Sequence, residues 1–433
     1  MKILFRYDRK TVRLDLPEST VVYESHYPSA LPDPSKALLR SVRRPAKSSS
    51  LKKALQEKKP GKVCIVVSDI TRPVPYACFL PALIREIKSA GIAGKNIFLL
   101  IATGMHRPST RKERIAMFGK SIALSVKIVD HRAEEPKDLV PLPGRSASGV
   151  RVQMNRHYIE ADFRIITGLV EPHFMAGFSG GRKSLCPGLV SLSTLENFHG
   201  EPFLSDTKAG NANLKGNPLH REAESIARLA GCEFCVNVVL DSHRKAVCFF
   251  SGDLFRSHAK AVAFVRKYAC PKVKKEADIV ITGSGGYPLD ATFYQCVKGI
   301  VSCLPAVKKS GVILSLGGCC EGVGSPEYAA VMKEFAGRWE SFLKHIRKPG
   351  VFTKDQWTIQ MQTRALAKIG EKNLRFSSHN LSGNRMSCLS VNGCAPGPGG
   401  MAGSLQRLFG SLYKKGMTVA AFPEGPYCAP VSA

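Results

Sequence analysis

Short apolar segments that alternate with amphipathic ones constrain the fold of this chain more than any other feature of its sequence. KVCIVVSD (62–69) is typical of a buried strand, PYACFLPALIREIKSAG (75–91) of an amphipathic helix that ends at Gly91, and NIFLLIATG (96–104) of the next buried strand. Buried strands separated by helices imply a mostly parallel sheet that helices cover on both faces. The sequence therefore predicts an α/β fold.

The same alternation begins again at KEADIVITGSGGYP (275–288), with helices expected over 291–310, 326–337 and 354–369. A chain of 433 residues also exceeds what one compact core usually holds. We therefore expect two α/β domains with mostly parallel sheets and an active site in the cleft between them. The expected division is a cofactor-binding domain over 1–270, which begins with a small antiparallel piece in residues 1–30, and a second domain over 271–403. The tail, 404–433, is a candidate to return to the first domain.

The amino-terminal residues and the cysteines bear on the cellular compartment. MKILFRYDRKTVRLDL alternates charged and apolar residues and lacks the apolar core of a signal peptide, and no apolar run approaches the roughly eighteen residues of a membrane span. The fourteen cysteines are scattered, and the single CxxC pair, Cys232 and Cys235, lacks histidines at zinc-finger spacing. We expect a cytoplasmic protein with reduced, mostly buried thiols.

A formal net charge of +29 raises the alternative of a nucleic-acid-binding protein. Of the two densest basic stretches, 41–62 contains no aromatic residue and 266–275 contains one, Tyr268. Neither stretch therefore interleaves aromatic residues for base stacking, and no nucleic-acid-binding signature occurs. Solvated surfaces and attraction of anionic substrates explain the charge better, so nucleic acid is not the expected partner.

Polar residues follow four of the predicted buried strands. Asp69, Thr71 and Arg72 follow the first strand, and His106 follows the second. Glu171-Pro172-His173 and Ser284-Gly285-Gly286-Tyr287 follow two later strands. Because ligands bind at the carboxyl ends of strands in open α/β sheets, these residues are expected to line one pocket.

The densest segment is GLVEPHFMAGFSGGRKSLCPG (168–188). Its glycines would let the backbone approach an anion, but Arg182 occupies the place of the second glycine of a P-loop, which disfavours ATP hydrolysis. Lys183, after the glycine turn, is a candidate nucleophile or covalent anchor, with an anion-pairing surface lysine as the alternative. His199 is a candidate metal ligand that would need further donors, most simply from a bound cofactor.

Taken together, these segments resemble the lactate racemase family, whose members depend on a nickel-pincer nucleotide. The matching segments occur in the order of the family from residue 68 to residue 357, and the long glycine-rich one is the most specific. They are SDITRPVP, ATGMHRP, GLVEPHFMAGFSGGRKSLCPG, NFHG, LKGNPLHRE, GGYPLDATFYQCVKG, EGVGSPEY and DQW.

The resemblance implies a cofactor and a set of site residues. The cofactor is nickel held in a pyridinium-3,5-bisthiocarboxylic acid mononucleotide, supplied by cofactor-biosynthesis enzymes and joined to a lysine. By position in the motifs, Lys183 is the residue joined to the cofactor, His199 is the nickel ligand, and His106 and His173 transfer protons. The substrate-binding residues implied are Arg72, Tyr294, Gln295 and Lys298. The residues implied to line the cofactor are Asp69, Thr71 and Trp357.

The resemblance also implies racemisation or epimerisation of a small 2-hydroxy acid. Transient oxidation to the planar 2-keto acid avoids a carbanion beside a carboxylate, and a neutral imidazole suits the removal of the hydroxyl proton near pH 7. Lactate is the default substrate, and malate, aryl-lactates and aldonates such as gluconate remain open. The alternative from another class is a non-catalytic protein that binds a nucleotide, nickel or nucleic acid.

Overall fold

The computed structural model describes residues 1–381, 383–394 and 396–432 of the chain. Its strands, numbered in chain order, are β1 (Lys2–Tyr7), β2 (Lys10–Asp15), β3 (Val21–Val22), β4 (Val63–Ser68), β5 (Ile97–Ala102), β6 (Lys127–Asp130), β7 (Leu139–Pro141), β8 (Gln153–Asn155), β9 (Phe163–Leu169), β10 (Pro172–His173), β11 (Gly177–Phe178), β12 (Phe234–Leu240), β13 (Ala246–Gly252), β14 (Lys272–Val273), β15 (Ala277–Thr282), β16 (Val307–Leu316), β17 (Leu374–Ser377), β18 (Asn392–Cys394), β19 (Val419–Phe422) and β20 (Val431–Ser432).

The α-helices are α1 (Pro34–Arg43), α2 (Leu51–Lys58), α3 (Tyr76–Lys88), α4 (Arg111–Phe118), α5 (Lys120–Ser125), α6 (Arg156–Ile159), α7 (Leu192–Phe198), α8 (Glu201–Ser205), α9 (Pro218–Ala230), α10 (Leu254–Ala269), α11 (Phe293–Ser302), α12 (Pro326–Glu334), α13 (Trp339–Ile346), α14 (Gln356–Ile369), α15 (Gly383–Met386) and α16 (Gly400–Leu412). Within the described ranges, none of the helices has both the length and the apolar character needed to cross a bilayer.

The first sheet has six strands in the order β13-β12-β9-β4-β5-β6. All neighbours are parallel except the edge strand β13, which runs antiparallel to β12. The central strand β4 is buried along nearly its whole length because helices cover both faces of the sheet. The alternation of buried strands and amphipathic helices thus produces the predicted sheet.

The second sheet has the order β18-β17-β16-β15-β19-β3, and all of its neighbouring strands are parallel. Helices α11 and α14 pack on one face. The hairpin β1–β2 and helix α16 contribute to the hydrophobic cluster on the other face. The predicted fold class, two α/β units with mostly parallel sheets, is confirmed.

The two ends of the chain differ from the expected division. The tail, expected to return to the first domain, divides between the two units: β19 pairs with β15 in the second sheet, whereas Ala429 and Val431 pack with α10 and β12 of the first unit. Residues 1–22, expected in the first domain, also lie with the second sheet, since β3 pairs with β19 and the β1–β2 hairpin packs on β15 and β16. The reason is burial: the apolar side chains of the hairpin cover a sheet face that would otherwise be exposed.

One predicted helix is shorter than expected. Residues 291–310 were expected to be helical throughout, but α11 ends at Ser302. Pro305 follows in a short 3-10 turn, and β16 begins at Val307, which pairs with Ala277. Proline cannot donate the backbone hydrogen bond that a continuing helix needs, so the apolar residues after it join the sheet instead.

Candidate active site

One cavity lies where the two α/β units meet. The carboxyl ends of β4, β5 and β9 supply one wall, and helix α11 with the start of α14 supplies the other. All eleven site residues singled out from the sequence line it: Asp69, Thr71, Arg72, His106, His173, Lys183, His199, Tyr294, Gln295, Lys298 and Trp357.

Asp69 and Thr71, after β4, orient His106, after β5. The Nδ1 atom of His106 lies 2.6 Å from Oδ2 of Asp69, while the hydroxyl of Thr71 donates to Oδ1 at 2.7 Å. Burial raises the pKa of Asp69, but the hydrogen bonds from His106 and Thr71 outweigh it and hold the pKa below its ordinary value. A carboxylate at Nδ1 fixes the tautomer of a neutral imidazole: Nδ1–H donates and Nε2 keeps its lone pair.

His173 has the opposite hydrogen-bond pattern. The backbone N–H groups of Met175 and Ala176 both donate to its Nδ1 at 3.3 Å. A backbone N–H can only donate, so Nδ1 carries the lone pair and Nε2 carries the proton. Burial is the main cause that lowers the pKa of His173 well below its ordinary value, in keeping with a neutral ring.

The geometry at His173 determines the charge of Lys183. Nε2 of His173 lies 2.9 Å from Nζ of Lys183. An ammonium group has no lone pair, so it cannot accept the Nε2–H hydrogen bond; Lys183 must be a neutral amine. Burial is the main cause that lowers the pKa of Lys183 far below its ordinary value, followed by the nearby cations Arg72 and Arg182. A neutral, sheltered amine is a nucleophile at neutral pH.

The glycines before Lys183 serve packing more than the expected anion cradle. A Cβ at Gly180, which has φ of 73°, would lie 2.6 Å from Cγ2 of Val170, and one at Gly181 would lie 2.8 Å from the His258 ring. The N–H of Gly181 already donates to the side chain of Asn237 at 3.1 Å. The glycines therefore bring this loop against the first sheet and set the position of Lys183.

His199, at the end of α7, faces the cavity beside Trp357. The two rings stack with centroids 4.5 Å apart, and the indole Nε1–H of Trp357 donates to Tyr294 Oη at 3.0 Å. Burial is the main cause that lowers the pKa of His199 to about 3, so its imidazole is neutral. A hydrogen bond from the ring to the carbonyl of Leu195 opposes this shift without outweighing it, and it leaves the other ring nitrogen unused. A neutral imidazole with an unused nitrogen is suited to bind a metal.

These residues fit a metal that arrives with its own donors. Within residues 1–381, 383–394 and 396–432, no group of three or more His, Cys, Asp or Glu side chains is placed to hold a metal ion. A nickel ion at His199 would therefore need ligands from an organic cofactor, as in the pincer that the motifs imply. The free amine of Lys183 in the same cavity suits a covalent attachment of that cofactor.

The second unit contributes cations and amides to the cavity through α11. Burial, and then the charge of Arg72, lowers the pKa of Lys298 from 10.5 to about 7. Oε1 of Gln295 is buried and has no partner in the described part of the chain. Arg72 lies 3.6 Å from the carboxylate of Glu171. Together these groups form an electropositive site for a small carboxylate.

Two further residues that line the cavity had no role in the sequence analysis. Lys354 and Asp355 precede Trp357, and Asp355 accepts a hydrogen bond from Ser325 at 2.7 Å. Asp355 is the first residue of the DQW motif and Lys354 precedes it, so that motif was the only signal in the sequence for either residue. Glu171 was noted as part of a polar cluster, but its pairing with Arg72 depends on the fold of the loops after β4 and β9.

The chain matches two family models in succession. Residues 7–212 match the lactate racemase N-terminal domain, and residues 272–371 match the lactate racemase C-terminal domain. Among curated proteins, the lactate racemase of Thermoanaerobacterium thermosaccharolyticum is 38% identical over 317 residues, covering 72% of this chain and 74% of that protein. The lactate racemase of Lactiplantibacillus plantarum is 36% identical over 316 residues, with the same coverage.

Solved structures show the same similarity. The lactate racemase apoprotein from T. thermosaccharolyticum aligns over 100% of both chains with a TM-score of 0.88 and 29% sequence identity. A Thermotoga maritima protein aligns over 89% of this chain and 98% of its own with a TM-score of 0.65. At 15% identity, this second match shows a shared fold only.

Proposed function

Since this chain belongs to the lactate racemase family and is an isomerase, we propose that it racemises or epimerises a small 2-hydroxy acid, with lactate, the substrate named for its relatives, as the reference. The observation that carries the proposal is the pair His106 and His173 in one cavity. Their hydrogen bonds set opposite tautomers, so one ring presents a base at Nε2 and the other an acid.

Arg72 and Lys298 bind the substrate carboxylate, and Gln295 supplies an amide whose buried Oε1 has no other partner in the described ranges. Tyr294 lies beside them and is held by the indole of Trp357. With the carboxylate fixed, the hydroxyl at C2 can reach one histidine or the other, depending on which enantiomer is bound.

His106 takes the hydroxyl proton of one enantiomer at Nε2, and Asp69 stabilises the imidazolium that forms. On the return to the other enantiomer, His173 gives a proton from its Nε2 to the carbonyl oxygen of the 2-keto acid, and it takes that proton in the reverse direction. The proton left on His106, whose side chain is 54% exposed, passes through solvent to restore the pair. His173 can give its proton only once Lys183 no longer accepts its N–H, so the tethering of Lys183 frees the acid for the reaction.

Lys183 holds the cofactor covalently, His199 binds its nickel, and Asp69, Thr71 and Trp357 line the space around it. When bound, the nickel-pincer nucleotide supplies a reversible acceptor for the hydride of C2. Cofactor-building enzymes are therefore the required partners of the chain.

The test is performed on protein produced together with the cofactor-building enzymes. Intact mass should show an adduct, and lactate deuterated at C2 should lose optical rotation while its label stays on C2, because that hydrogen never meets water. Loss of the deuterium to solvent at the rate of racemisation would reject this mechanism. An adduct-bearing protein that turns over no 2-hydroxy acid would instead indicate a non-catalytic binding protein.

A further inference from the structure

A side chamber opens beyond the substrate-binding residues. It shares Arg72, His173 and Lys298 with the main cavity, and its own walls include Asn211, Leu289 and Tyr427. Asn211 lies in the loop that follows α8, and Tyr427 lies in the tail after β19. The chamber therefore adjoins the place where the substrate carboxylate binds, but loops from distant parts of the chain shape it.

Beyond the residues that it shares with the main cavity, the chamber has three polar side chains of its own: Glu171, Asn211 and Tyr427. Oδ1 of Asn211 is buried and has no hydrogen-bond partner in the described part of the chain. The carboxylate of Glu171 lines the same space, with its side chain 21% exposed and its only ion pair, within the described ranges, to Arg72 at 3.6 Å. The hydroxyl of Tyr427 accepts a hydrogen bond from Arg244 at 3.4 Å.

A buried amide without a partner costs free energy unless a ligand satisfies it. A hydroxyl group is suited to the task because it donates and accepts, so it can pair with the Asn211 amide in either orientation of that group. The same hydroxyl, or a second one, can donate to the carboxylate of Glu171. The apolar walls, such as Leu289, can contact the carbon chain that carries the hydroxyls.

We propose that this chamber receives the C3 substituent of the substrate and that the preferred substrate is a polyhydroxy acid, with hydroxyl groups at C3 and beyond. The inference rests on the proposed function, since it takes the carboxylate to be bound by Arg72 and Lys298. From that point, C2 faces His173 and the next carbons extend into the chamber.

Other substituents fit less well. The methyl group of lactate leaves Asn211 without a partner, as does a plain aryl ring. Because Arg72 and Lys298 already bind the first carboxylate, a second carboxylate, as in malate, would face the carboxylate of Glu171 and be repelled by it. Lactate remains a substrate, but one that uses only the main cavity.

The experiment compares acids that differ by single groups on cofactor-loaded enzyme. Glycerate is lactate with one added hydroxyl at C3, threonate extends the chain by another hydroxylated carbon, and malate adds a second carboxylate. The kcat/KM of glycerate and threonate is expected to exceed that of lactate by roughly tenfold, the equivalent of about one good hydrogen bond. Malate is expected to lie below lactate.

Asn211→Leu removes the amide at similar volume, so the threonate-to-lactate ratio of kcat/KM should fall by roughly tenfold. Tyr427→Phe removes only a hydroxyl, so it should lower the same ratio by a smaller factor. The kcat/KM of each variant for lactate shows whether the variant folds and carries its cofactor. The control is Asn213→Leu in the same loop. The Asn213 side chain donates to the backbone carbonyls of Lys208 and Lys215 and does not line the chamber. The threonate-to-lactate ratio of kcat/KM should therefore stay at the wild-type value. Glu171→Gln removes the charge that repels a second carboxylate, so it should raise the malate-to-lactate ratio of kcat/KM.

The failures are distinguishable. If the enzyme racemises lactate but glycerate and threonate react no faster, or if Asn211→Leu leaves the ratio unchanged, the inference about the chamber is wrong. If protein that carries the adduct on Lys183 turns over none of these acids, the proposed function itself is wrong.

Discussion

Strand β9 of the first sheet and strand β15 of the second carry similar sequences, EADFRIITG (160–168) and EADIVITG (276–283), but they lead into loops of different chemistry. After β9, His173 projects into the cavity, and its Nε2 contacts the side chain of Lys183. After β15, Asp290 is fully buried, and its Oδ2 accepts from the backbone N–H groups of Asp8 at 2.7 Å and Gly318 at 2.8 Å.

The difference shows what turns the carboxyl end of a parallel sheet into a site. At the first sheet, the polar side chains bond mainly to one another, so a ligand can replace those contacts. At the second sheet, Oδ2 of Asp290 already accepts two backbone hydrogen bonds, one from the amino-terminal hairpin and one from the loop after β16, so it is not free to bind a ligand. We therefore expect the carboxyl end of the first sheet, the first edge, to carry out the reaction. The carboxyl end of the second sheet, the second edge, anchors the amino-terminal hairpin and places α11 beside the cavity.

The largest expected effect is that of Lys183→Ala, which removes the proposed tether. Protein produced with the cofactor-building enzymes should carry a covalent adduct, and the variant should lose both the adduct and all turnover, as measured by intact mass and optical rotation. Lys298→Met is the matched control, because it removes a cavity lysine that is not the tether and should keep the adduct. A Lys183→Ala protein that still turned over substrate would show that Lys183 is not the tether, and the proposed chemical role of the first edge would lose its main support.

The histidine pair should give the next largest effect. His106→Gln and His173→Gln should each lower kcat/KM by about 10² to 10⁴-fold, the usual range for the loss of a proton-transfer group. Both directions must fall by the same factor, because the equilibrium between two enantiomers is fixed. Polarimetry from each pure enantiomer tests this, and wild-type rates in either variant would show that the replaced histidine does not transfer a proton.

Asp69→Asn tests whether the contact between side chains at the first edge is functional. The amide cannot stabilise the imidazolium of His106 as a carboxylate does, so kcat/KM should fall by about 10- to 100-fold, the equivalent of one charge-assisted hydrogen bond. Thr71→Val, which removes only the neutral donor to Asp69, should have a smaller effect. Equal rates for wild type and Asp69→Asn would show that Asp69 is structural.

Lys298 predicts a pH dependence of substrate binding. Its pKa is lowered from 10.5 to about 7 by burial and by Arg72, so the ammonium that binds the carboxylate loses its proton above neutral pH. The dissociation constant for lactate on the unloaded protein should therefore rise by up to about tenfold per pH unit above pH 7. Calorimetric titration from pH 6 to 9 measures this, and Lys298→Met should bind weakly without that dependence.

The smallest effect on turnover is expected at the second edge. Asp290→Ala leaves the N–H groups of Asp8 and Gly318 without their acceptor, which should lower the free energy of unfolding by about 1–3 kcal/mol. The adduct on Lys183 should still form, since Asp290 does not line the cavity. Urea unfolding and intact mass test the two statements. A stable Asp290→Ala protein that fails to load its cofactor would mean that the second edge takes part in the chemistry.

The sequence by itself determined the fold class and selected eleven candidate residues that line one cavity. Buried strands such as β4 and β5 are apolar because helices cover both faces, and this pattern is visible in any single segment. Every candidate residue lies in the cavity because carboxyl ends of parallel strands converge on one edge and because the motifs are specific.

Only the tertiary structure decided where the chain ends belong, what charge the cavity residues carry and what shapes the side chamber. The pairing of β3 and β19 in the second sheet joins residues about four hundred positions apart, and no local pattern reports such a pairing. The neutral amine of Lys183 follows from two backbone N–H groups that fix the His173 tautomer. Asn211 and Tyr427 meet in one chamber only after folding, because periodicity and motif spacing describe neighbours along the chain, whereas binding depends on neighbours in space.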